Sequence, residues 1–340
     1  MARAVRQDLQ AAREKVAKIL GAKPAEIIFT AGGTEANNLA IRGVLDNYPK
    51  ANIVLSAIEH ESVLKPAKKY NAKLARVSVD GIVDVDELIK LIDDNTALVS
   101  VMYANNEVGS IQPIRKIANE LNAIKKIRRL KGNKLPLYFH TDAAQAANYL
   151  DLHVARLGVD LMTVNGGKIY GPKQSGVLFV ASSVNLSPQI LGGGQERGLR
   201  SGTENVASMM GFAEALRIAQ DMHQEEARRL TKLRDEFIKH LEQKIPNAII
   251  NGSLKTRLPN NVHITMPGKD NERLLMELDE AGIQAAAGSA CSASDQEPSH
   301  VLKAMGLSDK DAQSSLRFTM GRFSAKRDMD YALIGLVKLI

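Results

Sequence analysis

The chain has one cysteine, Cys291, and no tryptophan. A single thiol cannot build an internal disulfide framework, and such sparing use of cysteine fits a reducing compartment, so a cytoplasmic protein is expected. No apolar run is long enough to span a bilayer, and the N-terminus carries no pattern of a secretory signal, so no membrane partner is expected. Aromatic residues supply only 4% of the chain, and none is interleaved with the basic run Lys125-Lys126-Ile127-Arg128-Arg129-Leu130-Lys131. Without stacking platforms that run is read as the solvated end of a helix favoured by the macrodipole, and no direct nucleic-acid contact is expected. Internal repeats and low-complexity tracts are also absent. What remains is 340 residues with 44% hydrophobic content and a formal charge of +7, enough for one large or two medium domains with a real core.

The order of predicted elements is that of an α/β protein. An amphipathic helix spans Arg3 to Leu20 and stops at Gly21. Short β-branched runs then alternate with helices: Ile27 to Thr30, Ile53 to Leu55, Lys73 to Val79, Ala97 to Met102, Leu137 to Thr141, Val159 to Val164 and Gly176 to Val180. Such alternation predicts a mostly parallel central sheet with helices on both faces. In that architecture ligands bind beyond the carboxyl ends of the strands. Asp142 lies just past one such end, and Lys168 lies just past the next, in a turn loosened by Gly166 and Gly167. A carboxylate and an amine facing one crevice suit pyridoxal phosphate, whose aldehyde bonds to a lysine and whose ring nitrogen pairs with a carboxylate. Read singly, the two residues are equally at home as a strand-end cap and a solvated lysine.

Other strand ends carry polar groups as well. Gly32-Gly33-Thr34 opens a helix and is either a phosphate site or an ordinary glycine turn with a threonine cap. His60 lies where a strand passes into a helix, and is either structural or at the crevice edge. Asn105-Asn106 precedes Gly109 in a turn, or offers an amide to a ring hydroxyl. The three glycines at 192–194 imply a backbone that bends tightly or approaches something closely, and Ser201-Gly202-Thr203 is expected to open a long helix to about Lys244. That helix marks the expected boundary between a large domain, 1–244, and a smaller α+β domain, 245–340. In the smaller one, a strand is expected at Ile283 to Ala285. Cys291 follows, among small residues that give a thiol few packing partners, and is read as reactive. Arg317 sits among apolar neighbours and needs an anion, whether an internal carboxylate or a substrate's.

These residues together carry a resemblance. The chain resembles the NifS/IscS-type cysteine desulfurases, pyridoxal-phosphate enzymes of the aspartate-aminotransferase fold within the class V aminotransferases. The matching segments run in order: Thr30-Ala-Gly-Gly-Thr-Glu-Ala-Asn-Asn-Leu39, Glu59-His60, Asn105-Asn-Glu-Val-Gly109, Asp142-Ala-Ala-Gln145, Lys168-Ile-Tyr-Gly-Pro172, Gly192-Gly-Gly-Gln-Glu-Arg-Gly198, Arg200-Ser-Gly-Thr203, Gly288-Ser-Ala-Cys291, Glu297-Pro-Ser-His300 and Arg317-Phe-Thr-Met-Gly-Arg-Phe323. Each is weak alone; together, in order and with matching gaps, they are specific.

The resemblance implies roles. Lys168 carries the Schiff base, Asp142 pairs with the pyridine nitrogen, Gln145 meets the ring hydroxyl and His60 stacks on the ring. Gly33 and Thr34 bind phosphate, joined by Thr203 from the second subunit of a homodimer, while Asn106 contacts cofactor and substrate. Arg317 holds the carboxylate of L-cysteine and Cys291 takes its sulfur as a persulfide, leaving alanine. An ordinary thiol, with a pKa of about 8.5, is little ionised at neutral pH, and His60 is the expected proton shuttle. The implied acceptor is an iron–sulfur scaffold or a tRNA-thiolation protein. No metal site is read from the sequence. The alternatives are another pyridoxal-phosphate enzyme, such as a selenocysteine lyase or an aminotransferase, and a non-catalytic binding protein. The chain departs from the family pattern at Asn165-Gly166-Gly167, where Ser-Gly-His is usual, which predicts weaker cofactor retention. Asn165 is expected to compensate with its amide. The family's N-terminal Leu-Asp-Asn-Ala-Ala-Thr-like segment is also missing from this sequence, and the chain ends within an expected helix.

Overall fold

The computed structural model describes residues 2–288 and 298–340. Seven strands form one sheet: β1 (Ile27–Thr30), β2 (Asn52–Ser56), β3 (Asn71–Ala75), β4 (Thr96–Ser100), β5 (Tyr138–Asp142), β6 (Leu161–Asn165) and β7 (Gly176–Val180). Their order is β1-β7-β6-β5-β4-β2-β3. All but β3 are short runs in which nearly every residue is buried, as expected for strands covered on both faces. The pairs β2/β3, β2/β4, β4/β5 and β5/β6 are parallel, and β6/β7 and β1/β7 are antiparallel. The helix Gly33–Leu45 packs its apolar residues Ala36, Leu39, Ala40, Ile41 and Val44 against this sheet and shares a core with Ile28, Ile53, Leu55, Leu98 and Leu178. Each leucine, isoleucine or valine among these contributes about 1.5–3 kcal/mol by leaving water, and the alanines less.

The chain divides into two compact units. The first comprises residues 1–76, 83–103 and 112–223; the second comprises 77–82, 104–111 and 224–340. The second holds a three-stranded antiparallel sheet in the order β10-β9-β8, with β8 (Ile249–Ile250), β9 (Asn261–Thr265) and β10 (Ser315–Thr319). The long helix Val206–Lys244 contributes to both units.

Local structure departs from expectation at four places. The long helix begins at Val206, not at Ser201-Gly202-Thr203: Gly202 takes φ +113°, which no helix accommodates, and the Asn205 side chain accepts the Ser208 amide instead. No strand forms at Ile283 to Ala285. Only an isolated bridge joins Ala286 to Arg317, because alanines offer little to a cross-strand pair. The strand read from Lys73 to Val79 is β3, which ends at Ala75. Finally, the basic run is not wholly solvated. Arg128 is buried and donates to the carbonyls of Thr96 (2.8 Å) and Asp93, while Lys125 pairs with Asp160 at 2.9 Å. Among the described residues, no helix is long and apolar enough to cross a membrane.

Candidate active site

The site follows from strand direction. Because β7 runs antiparallel to β6, and β1 antiparallel to β7, β1 points the same way as β6. The carboxyl ends of β1, β2, β4, β5 and β6 therefore open on one edge, where ligands of α/β sheets bind. Gly32 to Thr34 follow β1, His60 follows β2, Asp142 ends β5, and Asn165 and Lys168 close β6. Asp142 stands opposite Thr163 in the β5/β6 register, so Lys168 lies a few residues beyond, in the turn that follows the adjacent parallel strand. Gly176 pairs with Asn165 on one side and Thr30 on the other.

That register brings the Gly32-Gly33 turn up against Asn165. A Cβ on Gly33 would lie 3.3 Å from Asn165 Cβ and Nδ2. Gly32 adopts φ +129°, open only to glycine. A Cβ on Gly176 would lie 2.8 Å from the Gly32 Cα, so the strand must be bare there. Thr30 Oγ1 donates to the Gly32 carbonyl at 3.1 Å, and Glu35 accepts the Ala31 amide at 2.8 Å. The first main-chain bond of the helix runs from the Ala36 amide to the Gly32 carbonyl, which leaves the amides of Gly33, Thr34 and Glu35 directed out of its N-terminus. Asn165 Oδ1 accepts the Gly167 amide at 3.1 Å, turning its Nδ2 toward Gly33. Amides, an exposed threonine hydroxyl and a carboxamide N–H at the positive end of a helix form an anion seat.

Asp142 is buried, and each of its oxygens accepts a hydrogen bond, Oδ1 from the Ala144 amide at 2.9 Å and Oδ2 from Asn37 Nδ2 at 2.7 Å. Asn37 Nδ2 also donates to Ser62 Oγ at 2.8 Å, and Ser62 Oγ lies 2.8 Å from His60 Nδ1. His60 is the N-cap of the helix Glu61–Ala67, its Nδ1 accepting the Ser62 amide at 3.0 Å. Gln145 is half-buried in the turn after β5. Lys168 is exposed, and its carbonyl accepts Asn148 Nδ2 at 2.6 Å. Thr203 is exposed in a loop that Arg200 ties to Glu35 at 2.8 Å. Behind the edge, Glu59 is fully buried and accepts from Ser56 Oγ (2.5 Å) and the Met102 amide (2.7 Å). Burial, with the nearby Asp142 charge, pushes its carboxyl up to about 8 against the pull of those hydrogen bonds, so Glu59 holds a proton at neutral pH.

Asn106 and Arg317 belong to the second unit, where Arg317 Nη1 donates to the Asn106 carbonyl at 2.9 Å. Arg317 lies in β10, half-buried, directly paired with the buried His263 of β9. Burial and the adjacent Arg317 and Arg257 push His263 down to about 3, so it adds no second positive charge. Cys291 lies outside the described residues.

Sequence reasoning passed over Asn37, Ser62 and Glu59 as supports. Asn37 had one legible signal: it falls one helical turn after Gly33 and so shares its face. Glu59 stands in the Glu59-His60 segment, but nothing local gives it a supporting role, because only the fold buries it.

An anion seat, a carboxylate with both oxygens engaged and a primary amine therefore stand on one strand edge. Phosphate, ring nitrogen and aldehyde are the three groups of pyridoxal phosphate that need those partners, and the donor set fits it. Fold and site define a pyridoxal-phosphate protein of the aspartate-aminotransferase-like architecture. Comparison with known proteins agrees. The description of the aminotransferase class-V family matches residues 1–332. A cysteine desulfurase IscS of Dictyoglomus turgidum is 42% identical, the match covering 99% of this chain and 85% of that protein. A solved NifS-like protein superposes with a TM-score of 0.89 at 33% identity, over 100% of this chain and 89% of that one. A solved complex of SspA with cysteine superposes with a TM-score of 0.80 at 30% identity, over 95% and 89%. The chain belongs to the aminotransferase class-V family, whose cysteine desulfurases use pyridoxal phosphate.

Proposed function

We propose that this protein is a cysteine desulfurase. L-cysteine and the Cys291 thiol react to give L-alanine and a persulfide on Cys291: the substrate C–S bond breaks, an S–S bond forms, and a proton takes the place of sulfur on the substrate carbon. The observation that carries the reading is the placement of Asp142 and Lys168 at the carboxyl ends of two adjacent parallel strands.

The residues divide the work. Gly33, Thr34 and Asn165 hold the phosphate, with Thr203 supplied across a homodimer. Asp142 holds the ring nitrogen, Gln145 the ring hydroxyl, and His60 flanks the ring. When bound, pyridoxal phosphate supplies a sink for the electron pair left when the substrate Cα proton departs. Lys168 provides the amine that anchors the cofactor, and its Nζ then moves the Cα proton. Asn106 and Arg317 receive the substrate, Arg317 by a charge-assisted bond to its carboxylate. An acceptor protein of iron–sulfur assembly or tRNA thiolation then takes the sulfur, in the cytoplasm.

The test is a visible spectrum of the purified protein with pyridoxal phosphate, followed by L-cysteine and assay of alanine and persulfide. Lys168→Ala should abolish the visible band. Cys291→Ala should keep the band and form no persulfide; sulfur release that survives this change would refute the desulfurase assignment and leave another enzyme of the same family.

A further inference from the structure

The geometry points to Asn37 as a positioning residue: one carboxamide orients Asp142 and, by making Ser62 Oγ a donor to His60 Nδ1, joins the Ser62 amide in keeping the His60 proton on Nε2. This rests on the reading of Asp142 and His60 as cofactor contacts. Asn37 is 1% exposed, on the helix whose first turn forms the anion seat. Its Nδ2 lies 2.7 Å from Asp142 Oδ2 and 2.8 Å from Ser62 Oγ. A carboxylate only accepts, so the NH2 group faces Asp142, and both its protons are used. The cost of that choice falls on Asn37 Oδ1, which is buried without a hydrogen-bond partner among the described residues. An apolar side chain of similar size would avoid such an orphan, so the two donations are what an amide contributes here.

The direction of the chain follows. Ser62 Oγ receives a proton from Asn37, so its own proton goes to His60 Nδ1, 2.8 Å away. The Ser62 amide donates to the same nitrogen at 3.0 Å. Nδ1 accepts twice and cannot bear the proton of a neutral ring, which places it on Nε2. His60 therefore presents an N–H donor to the crevice rather than a lone pair. In that state it orients an acceptor and does not ionise a thiol, so the shuttle role expected from the sequence requires the whole chain to reverse.

Two readouts test this. In cofactor-free protein labelled with 15N-histidine, with the His60 signal assigned by its loss in His60→Gln, long-range 1H–15N correlation at alkaline pH should show the Nε2-protonated form. Asn37→Asp, sharing one proton with Asp142, accepts from Ser62 where the amide donated. The Ser62 amide still donates to Nδ1 there, so the proton stays on Nε2. Loss of the hydroxyl donation should nonetheless shift the Nδ1 resonance toward that of an unbonded ring nitrogen, and an unshifted Nδ1 signal would overturn the proposal. Asn37→Leu should weaken pyridoxal phosphate about tenfold in equilibrium dialysis read by absorbance, the loss of roughly one charge-assisted hydrogen bond. A change under twofold in a folded variant would equally overturn it, and if Asn37→Leu does not fold, Asn37→Asp decides alone. If the parent protein takes up no pyridoxal phosphate, the cofactor assignment fails, while the histidine signal still decides the role of Asn37.

Discussion

Replacing Glu59 by glutamine should flatten the dependence of stability on pH. Glu59 is fully buried, and its carboxyl rises from the ordinary 4.5 to about 8, chiefly through loss of water. In the unfolded chain it ionises near 4.5, so between these limits the folded state holds one more proton than the unfolded state. Raising the pH through that window therefore favours unfolding. The stabilising contribution is complete below about 4.5 and is gone above about 8. At about 1.4 kcal/mol per tenfold change in the ionisation constant, the full swing is on the order of 5 kcal/mol. Glutamine copies the protonated side chain: its Oε1 can still accept from Ser56 Oγ and the Met102 amide, as Glu59 does. The assay is urea denaturation of parent and Glu59→Gln at a series of pH values. The parent should lose stability relative to the variant steadily from pH 5 to 8, by several kcal/mol in all. Parallel profiles would refute the claim that a neutral carboxyl lies under the site.

Gly167→His should tighten pyridoxal phosphate about fivefold by dialysis, about one hydrogen bond, since an added Cβ meets Asn165 Oδ1 and Lys173 Cδ only at 3.6 and 3.7 Å; unchanged affinity would remove Gly167 as a cause of weak retention. Arg13→Ala should cost about 3–5 kcal/mol in denaturant melts, because it strips a buried two-pronged partner (2.6 and 2.8 Å) from Glu196. Glu196 and Arg197 both stand at positive φ, 47° and 58°, and that pair with Arg13 holds the loop that leads to Thr203. Gly176→Ala should cost about 1–3 kcal/mol and weaken cofactor binding together, since its Cβ would strike backbone atoms of Gly32 within 3 Å; a melting temperature equal to the parent's would show that the turn yields freely.

A layer of buried polar groups lies under the edge. His140 in β5 bonds Ser100 of β4 (2.9 Å) and Thr163 of β6 (3.1 Å), and burial drives its pKa down to about 3. A serine and a histidine at hydrogen-bond distance resemble a nucleophile and its base. With no exposed surface on any of the three, the set serves instead as a neutral cross-strand tie. It joins the strands that carry Asp142 and Lys168, which is the rigidity a cofactor seat needs.

The strand edge that carries the site was legible in residue order: an aspartate and a lysine after β-branched runs, and a Gly-Gly-Thr helix start. Those features depend on composition and spacing over a few residues, where backbone sterics and hydrophobic periodicity act directly. Sequence alone erred where the outcome depends on what lies across the sheet. Arg128 reads as one more solvated cation, yet it is buried because the carbonyls of Thr96 and Asp93 lie within its reach. Glu59 and Asn37 stand in the sequence only as members of longer segments, with no role assigned to either. Both gain their roles because strands far apart in the chain pair in one register, Asp142 against Thr163 and Thr30 against Gly176. Burial and hydrogen-bond direction are properties of those long-range neighbours, and only tertiary packing decides which neighbours a residue has.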